Sequence, residues 1–400
     1  MATKFYCPYC YEPFAERMIL FRCTGRKPPT GEACRTKVDK VLNNVMGDGT
    51  PRYPFFKADG RKLQAECPGC HIDTFYRLCP CCHMQLPVHF GKVDSRMIAL
   101  IGAKEAGKTV YMTVLLHELM NRLSRRFSAA VLGADEKTRS RFQADYERSL
   151  YEQHSLPDIT RSAAAGPGRQ PLVFSFAIDR TRLGRNQVQR SVLSFFDTAG
   201  EDLQSEQSVE LNTRYLSSAD GIILLLDPLQ MRGARPLVNA DAELPPEAAH
   251  LDLPENVLGR IIALLERSMG KPGRRKIKKP IAVAFSKMDA LTGALPEDSP
   301  LLTDQEAGAW FDETDSLAVH GHLQELLLKW QGGNLNETLN VHFERYRLFG
   351  LSALGNSPVS DAGGGQRVSH HGIQPVRVED PFLWLMSEFG VIAKKSVRRV

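Results

Sequence analysis

Hydrophobic positions follow two regimes along the chain. From about residue 95 onward, short apolar runs recur at Ser95–Ile101, Pro171–Ile178, Ser191–Phe196, Gly221–Asp227, Pro280–Phe285 and Tyr346–Gly350. Each is strand-length, and Gly221-Ile222-Ile223-Leu224-Leu225-Leu226 is apolar on both faces, as a buried parallel strand must be. Between the runs lie segments with helical spacing. In Val110–Leu123 the residues Tyr111, Val114, Leu115, Leu119 and Leu123 share one face, and helices are predicted also at Ser205–Leu216, Glu255–Ser268, Leu317–Gln331 and Pro381–Ala393. Alternating strands and helices predict an α/β fold, a doubly wound sheet that binds its ligand at the strands' carboxyl ends. Before residue 95 the pattern is different: cysteine pairs replace apolar runs.

Three short segments follow predicted strands. Gly102-Ala103-Lys104-Glu105-Ala106-Gly107-Lys108-Thr109 fits G-x-x-x-x-G-K-[ST] between a strand and a helix. In that setting backbone N–H groups, continuing into Val110, cradle phosphates, Lys108 reaches the terminal ones and the Thr109 hydroxyl binds Mg²⁺. Asp197-Thr198-Ala199-Gly200 comes one strand later. A carboxylate there holds Mg²⁺, and Gly200 brings its N–H against a γ-phosphate. Ser286-Lys287-Met288-Asp289 ends the run 280–285. Guanine offers N1–H and an N2 amine, both donors, so the Asp289 carboxylate accepts two bonds that adenine cannot supply. The Lys287 stem can lie across the base.

These residues resemble those of Ras-like P-loop GTPases of the translation-factor-related class, over roughly residues 95–400. The resemblance implies GTP and GDP as ligands and Mg²⁺ as cofactor. A further family motif, Ser-Ala-Lys, stands here as Ser352-Ala353-Leu354; the family uses backbone groups of that loop to contact the base, so Leu354 is tolerable. Pairing cysteine knuckles with such a domain, together with the ending Val378-Glu379-Asp380-Pro381-Phe382-Leu383-Trp384-Leu385, resembles bacterial double-GTPase families of conflict and stress systems. The family also places a Thr in its first switch to bind Mg²⁺; Thr160 is the best-placed candidate, with Thr138 second. Two departures bear on catalysis. Glu201 stands where relatives carry a water-orienting Gln, so it either holds the attacking water or points to solvent and leaves turnover slow. Lys104 stands where many relatives have Gly, and either supplies a transition-state cation or lies in solvent.

All nine cysteines fall within the first 82 residues. Cys7-Pro8-Tyr9-Cys10, Cys67-Pro68-Gly69-Cys70 and Cys79-Pro80-Cys81-Cys82 repeat C-P-x-C, a tight turn on which two thiolates reach one tetrahedral zinc. Sequential pairing puts Cys7, Cys10, Cys23 and Cys34 in a first ribbon (1–45) and Cys67, Cys70, Cys79 and Cys82 in a second (46–94), with Cys81 spare. The competing reading is a disulfide framework. Met1-Ala2-Thr3-Lys4 leads almost directly into the first knuckle without a signal peptide, and the nucleotide site is of an intracellular type, so the expectation is a cytoplasmic protein with two zinc ions.

Charge narrows the role of this region. Residues 1–97 hold 15 Lys and Arg against 9 Asp and Glu. Two Zn²⁺ in eight thiolates contribute a net −4, leaving about +2. A phosphate-binding domain normally shows a strong basic patch, so a protein partner, met through the zinc ribbons and the switch loops, is favoured over nucleic acid. No apolar stretch approaches the 18 or more residues of a membrane span. The GTPase portion is long, and the excess falls in Pro228–Pro254, Thr292–Ser316 and Ser357–Pro375, expected as surface loops. Two functions fit: a GTP-hydrolysing switch, slow without its partner, or a non-catalytic GTP-gated scaffold.

Overall fold

The computed structural model describes the chain apart from residues 1–3, 30, 89, 93–95, 104, 157–170, 183–184, 196–205, 241, 243, 248–252, 270–274, 304–307, 361–365 and 396–400. The cysteine-bearing region is made of short strands: β1 (Lys4–Tyr6), β2 (Pro13–Ala15), β3 (Leu20–Arg22), β4 (Lys37–Val38), β5 (Pro51–Arg52), β6 (Phe55–Lys57), β7 (Ala65–Glu66), β8 (Asp73–Thr74) and β9 (Tyr76–Leu78), with one helix, α1 (Lys40–Met46), after β4. All pair antiparallel, β1 with β2, β4 with β5, β7 with β8, and β3 between β6 and β9. Asp39 organises this region. It caps α1 through the Leu42 N–H and also accepts from Arg22 and from His83 Nδ1. Burial alone would raise its carboxyl, but those donors outweigh it and hold Asp39 below the usual range.

Beyond it follow β10 (Ile98–Gly102), α2 (Lys108–Met120), α3 (Arg122–Phe127), β11 (Ala129–Gly133), α4 (Glu136–Arg141), a π-helical stretch Phe142–Glu152, β12 (Leu172–Arg182) and β13 (Arg185–Phe195). Then come α5 (Glu206–Ser218), β14 (Gly221–Leu226), α6 (Pro254–Met269), β15 (Ile281–Phe285), β16 (Trp310–Asp312), α7 (Glu313–Lys329), α8 (Gly333–His342), β17 (Tyr346–Gly350), the pair β18 (Val359–Ser360) and β19 (Gln366–Arg367), α9 (Asp380–Glu388) and β20 (Ala393–Lys395).

The strands β10, β14, β15 and β17 form one parallel sheet in that order, and β11, β12 and β13 form an antiparallel one beside it. Every residue of β10, β14 and β15 is buried, which the continuous apolar runs require. Side chains alternate faces along a strand. Phe349, paired in register with Ala284, meets Trp384 of α9, whereas Phe285 meets Trp330 at the end of α7. Those two helices therefore cover opposite faces, and the sheet is doubly wound.

Most expected elements are present, and the differences have local causes. The helix after the phosphate-type loop breaks at Asn121 into α2 and α3. The last predicted helix stops at Glu388, and β20 then pairs with β16. Thr138 lies inside α4, buried, with its N–H capped by Asp135.

On the outer edge of β17 the Leu348 N–H donates to His320 Nδ1 of α7 at 3.1 Å. That bond needs the neutral ring. Burial and the neighbouring Arg347 push the His320 pKa down from 6.5 to about 4. A base depressed in the folded state is protonated first in the unfolded chain, so its contribution is whole above pH 6.5 and lost as pH falls through about 4. Urea midpoints should fall across that window. His320→Gln, which keeps an acceptor, should flatten the fall.

Candidate functional site

Parallel strands end on one edge, and the phosphate-type and base-type segments follow strands of that edge. Gly102 closes β10 opposite Leu225 of β14, and Phe285 closes β15 between Leu226 and Gly350. A side chain at Gly102 would stand 2.4 Å from the Leu225 carbonyl oxygen, so the loop must start on glycine. Gly107, at φ +76°, opens α2 from the left-handed region. Ala103 and Ala106 are buried, Glu105 is exposed, and Thr109 and Val110 lie half-buried in the first turn of α2. The Lys108 ammonium is held over the loop by the carbonyls of Gly102 (3.1 Å) and Ala103 (2.8 Å). A helix N-terminus and a cation held beside it form an anion-binding surface.

The base-type segment is joined to the other loop expected to contact the base. Ser352 Oγ donates to Asp289 Oδ1, and Ser357 Oγ stands 3.5 Å from Oδ2. Ser286 is buried and its Oγ donates to the Leu226 carbonyl at 3.1 Å. Lys287 adopts φ 56° and its ammonium lies 2.6 Å from Asp227 Oδ2. Asp227 is almost fully buried just past β14, its other oxygen accepting from the Leu229 N–H. A buried carboxylate needs such partners. Nothing in the motif spacing marks Asp227; only its place directly after an apolar strand hints at it. The Ser352–Leu354 loop is strapped in turn: Ser352 pairs with Val376 through both backbone groups, and the Gln374 N–H donates to the Leu354 carbonyl. Arg377 fixes this strap to Asp315, Asp380 and the carbonyls of Pro300 and Thr303. Lys104, Thr160, Asp197, Gly200 and Glu201 lie outside the described residues.

The cysteines correct the sequential pairing. Cys7 and Cys10 converge with Cys79 and Cys82, and Cys23 and Cys34 with Cys67 and Cys70; in each group all four sulfurs lie within 4.8 Å of one another. Each group thus takes ligands from both sides of the 45/46 division, so the two ribbons are nested rather than in series. Closest contacts are 3.7 Å (Cys7–Cys82), 3.8 Å (Cys10–Cys79), 3.5 Å (Cys23–Cys70) and 3.8 Å (Cys34–Cys67). Zinc–sulfur bonds of about 2.3 Å at tetrahedral angles put sulfurs about 3.8 Å apart, whereas a disulfide needs about 2.05 Å. All nine thiols are free. The three knuckles share one geometry: Tyr11, His71 and His83 take φ 62°, 57° and 57°, and their N–H groups donate to the carbonyls of Cys7, Cys67 and Cys79. Burial raises the Cys7 thiol well above its ordinary range, so four thiolates there need a cation in their midst. Cys81 is exposed and belongs to neither group.

Elemental analysis should therefore find that Cys10→Ser and Cys79→Ser, singly or together, remove the same single zinc. Cys10→Ser combined with Cys34→Ser should remove both. Retention of one zinc in the second pair would restore the sequential pairing.

Comparison with known proteins bears on this arrangement. Residues 96–320, more than half of the chain, match the model of the family described as Double-GTPase 2. Over 417 aligned residues, 96% of this chain and 99% of the relative, the sequence is 28% identical to a Mycolicibacterium smegmatis protein provisionally named ESX-1 scaffolding and assembly protein SaeC. Among solved structures, the GTP-bound GTPase-like domain of Saccharomyces cerevisiae Ski7 aligns at TM-score 0.31 and 14% identity, over 65% of this chain and 43% of that one. The GDP-bound signal recognition particle receptor SRb of Chaetomium thermophilum aligns at TM-score 0.25 and 15% identity, over 67% and 95%. The chain thus spans less than half of the Ski7 chain it matches.

Proposed function

The chain belongs to the double-GTPase 2 family, and from that premise we propose that it is a magnesium-dependent GTP-binding and hydrolysing switch whose zinc-binding region reports the nucleotide state to a protein partner. The observation that carries this reading is that Lys108, Asp289 and Ser352 follow the carboxyl ends of β10, β15 and β17 in one parallel sheet, with Ser352 bonded to Asp289. In this reading the N–H groups from Ala103 to Val110 hold the phosphates and Lys108 stands between the terminal ones. Asp289, steadied by Ser352, accepts from guanine N1–H and N2–H, and Asp227 keeps Lys287 seated beside the base. Thr109, Asp197 and Thr160 are the proposed magnesium ligands. Magnesium, when bound, neutralises charge on the β- and γ-phosphate oxygens. Glu201 is the candidate for holding the water and Lys104 for meeting transition-state charge.

A second reading has its own support. The relative covering nearly the whole chain is named for scaffolding and assembly, and Glu201 replaces the water-orienting amide. A GTP-gated scaffold without turnover fits both. The cysteine-bearing region supports a protein partner in either case: Phe55, Phe75 and Tyr76 of that region are exposed, while its charge stays modest. Among the described residues no helix is long and apolar enough to cross a membrane, and a cytoplasmic site of action is proposed on the nucleotide and the free thiols.

Two substitutions test base and phosphate recognition. Asp289→Asn removes two charge-assisted bonds worth about 1.5–3 kcal/mol each. GTP affinity should fall about a hundredfold or more, while xanthosine triphosphate, whose C2 carbonyl accepts, should gain. Lys108→Ala, which removes the phosphate cation, should abolish GTP binding, and undiminished affinity there would refute the phosphate-loop assignment.

Turnover separates switch from scaffold. Phosphate release by the protein alone should run at roughly 10⁻⁴–10⁻³ s⁻¹, the range of unassisted Ras-like proteins. Tight GTP binding with no release, alone or with lysate fractions, would favour the scaffold.

A further inference from the structure

The outer cysteine group is not carried on a separate arm. Cys7, Cys79 and Cys82 share one hydrophobic cluster with Val173 of β12 and Val192 of β13. The inner group clusters with Tyr53, Phe56 and Ile72, all from its own region. The two metal sites therefore differ in what they touch.

The knuckle Cys7–Tyr11 reaches elements of the nucleotide edge by several contacts. Ser194 Oγ of β13 donates to the Pro8 carbonyl at 2.8 Å, and Tyr9 OH donates to Asp135 Oδ2, the cap of α4, at 2.8 Å. The Tyr11 ring packs on the Tyr215 ring of α5 with centroids 4.9 Å apart, both almost fully buried, and Glu12 pairs with Arg214. Tyr215 in turn holds two strands. β10 and β13 lie side by side but belong to different hydrogen-bonded ladders. The Leu100 N–H of β10 donates to Tyr215 OH at 2.9 Å, and that hydroxyl donates to the Ser194 carbonyl of β13 at 3.4 Å. One phenol thus stands in for a rung between the strand that runs into the phosphate-type loop and the strand that ends two residues before Asp197.

We propose that the outer metal site and the nucleotide site are thermodynamically coupled through Tyr11, Tyr215 and Ser194, which act as positioning residues, and that the inner metal site is not. The proposal rests on the nucleotide reading given above. Its physical basis is direct. Metal binding fixes the knuckle turn, the turn fixes Pro8 and Tyr11, and these hold Ser194 and Tyr215 against Leu100. Coupling free energies are reciprocal, so nucleotide must also tighten the outer metal. A packing role alone would lower stability without making either ligand sense the other.

Zinc release from the whole protein, followed with a chromophoric chelator, with and without GDP, tests this. Nucleotide should slow loss of one zinc by roughly 5–150-fold, the usual range of such couplings, and leave the other unchanged. Cys34→Ser, retaining only the outer metal, assigns the slowed ion. Tyr215→Phe keeps the ring and both zinc ions but leaves the Leu100 N–H unpaired; the ratio should collapse toward one, and Ser194→Ala should reduce it. Equal release with and without nucleotide, or full protection in Tyr215→Phe, overturns the proposal. Binding of a fluorescent GDP analogue in the same preparation reports on the nucleotide reading by itself. Should none bind, hydrogen exchange without nucleotide still decides the point. Faster exchange in 188–195 and 212–218 in Cys10→Ser but not in Cys34→Ser supports the coupling route, and equal exchange in both removes it.

Discussion

Parallel pairing of β10, β14, β15 and β17 is the constraint on which the rest of the molecule depends. Strands in parallel register deliver their carboxyl ends to one edge, whatever separates them in the chain. Gly102, Asp227, Ser286 and Leu351 each lie at or one residue past a strand end. Lys287 then needs only a short turn to meet Asp227, and Ser352 to meet Asp289. The same edge explains the one expensive group among them. Asp227 is an almost fully buried carboxylate, tolerable only with partners, and Lys287 and the Leu229 N–H supply them. Seating Lys287 and satisfying Asp227 are therefore one event, and the base-type segment is held in a left-handed turn before any ligand is considered.

The nested cysteine pairing sets an order of distance. The outer group joins residues 7–10 to 79–82, so the start and end of the region meet at one metal, and the chain leaves it directly for β10. The inner group, formed from residues 23–34 and 67–70, must then lie away from that exit. Its surroundings agree: Val173 and Val192 pack beside the outer group, and only residues of the region itself beside the inner one. Nesting thus makes one metal a joint with the sheet and leaves the other to face outward with the exposed rings of Phe75 and Tyr76.

The strands and the base and phosphate segments were legible because their signals are local. A six-residue apolar run such as 221–226 has few other structures open to it, and Tyr346–Gly350 forms the strand its sequence predicts. Knuckle geometry was legible too, since C-P-x-C dictates its own turn. Which knuckles share a metal was not. The three are chemically alike, and the choice is made by β3 pairing with both β6 and β9, a contact without a sequence mark. Tyr215 carries no mark of its own within a predicted helix; its hydroxyl acquires meaning because β10 and β13 belong to different ladders there. Lys276 and Lys279 belong to a cluster of cations in the sequence that marks no partner, yet their ammonium groups bond backbone carbonyls, Lys276 that of Asn340 and Lys279 those of Leu216, Ser217 and Ala219 at the end of α5. Helix C-termini need such donors, and tertiary packing decides which cation provides them.

Magnitudes limit what the outer metal can do to the nucleotide site. The Tyr215 hydroxyl makes two hydrogen bonds, each worth about 1 kcal/mol net. Contacts of the knuckle with Ser194 and Asp135 add a comparable amount, but they are made in every state that keeps the metal, so only their change between states counts. About 2 kcal/mol of differential contact corresponds to roughly thirtyfold in affinity. Carrying a two-state switch from 1:99 to 99:1 takes about 5.5 kcal/mol. On that scale the proposed coupling lets a metal bias the nucleotide site and be biased by it, but does not let it throw a switch by itself. In the proposed switch the larger share must come from contacts that differ with the γ-phosphate, the role proposed for Gly200. In the proposed coupling, an intact outer site sets how much of that change reaches the zinc-binding region, and the nucleotide sets when.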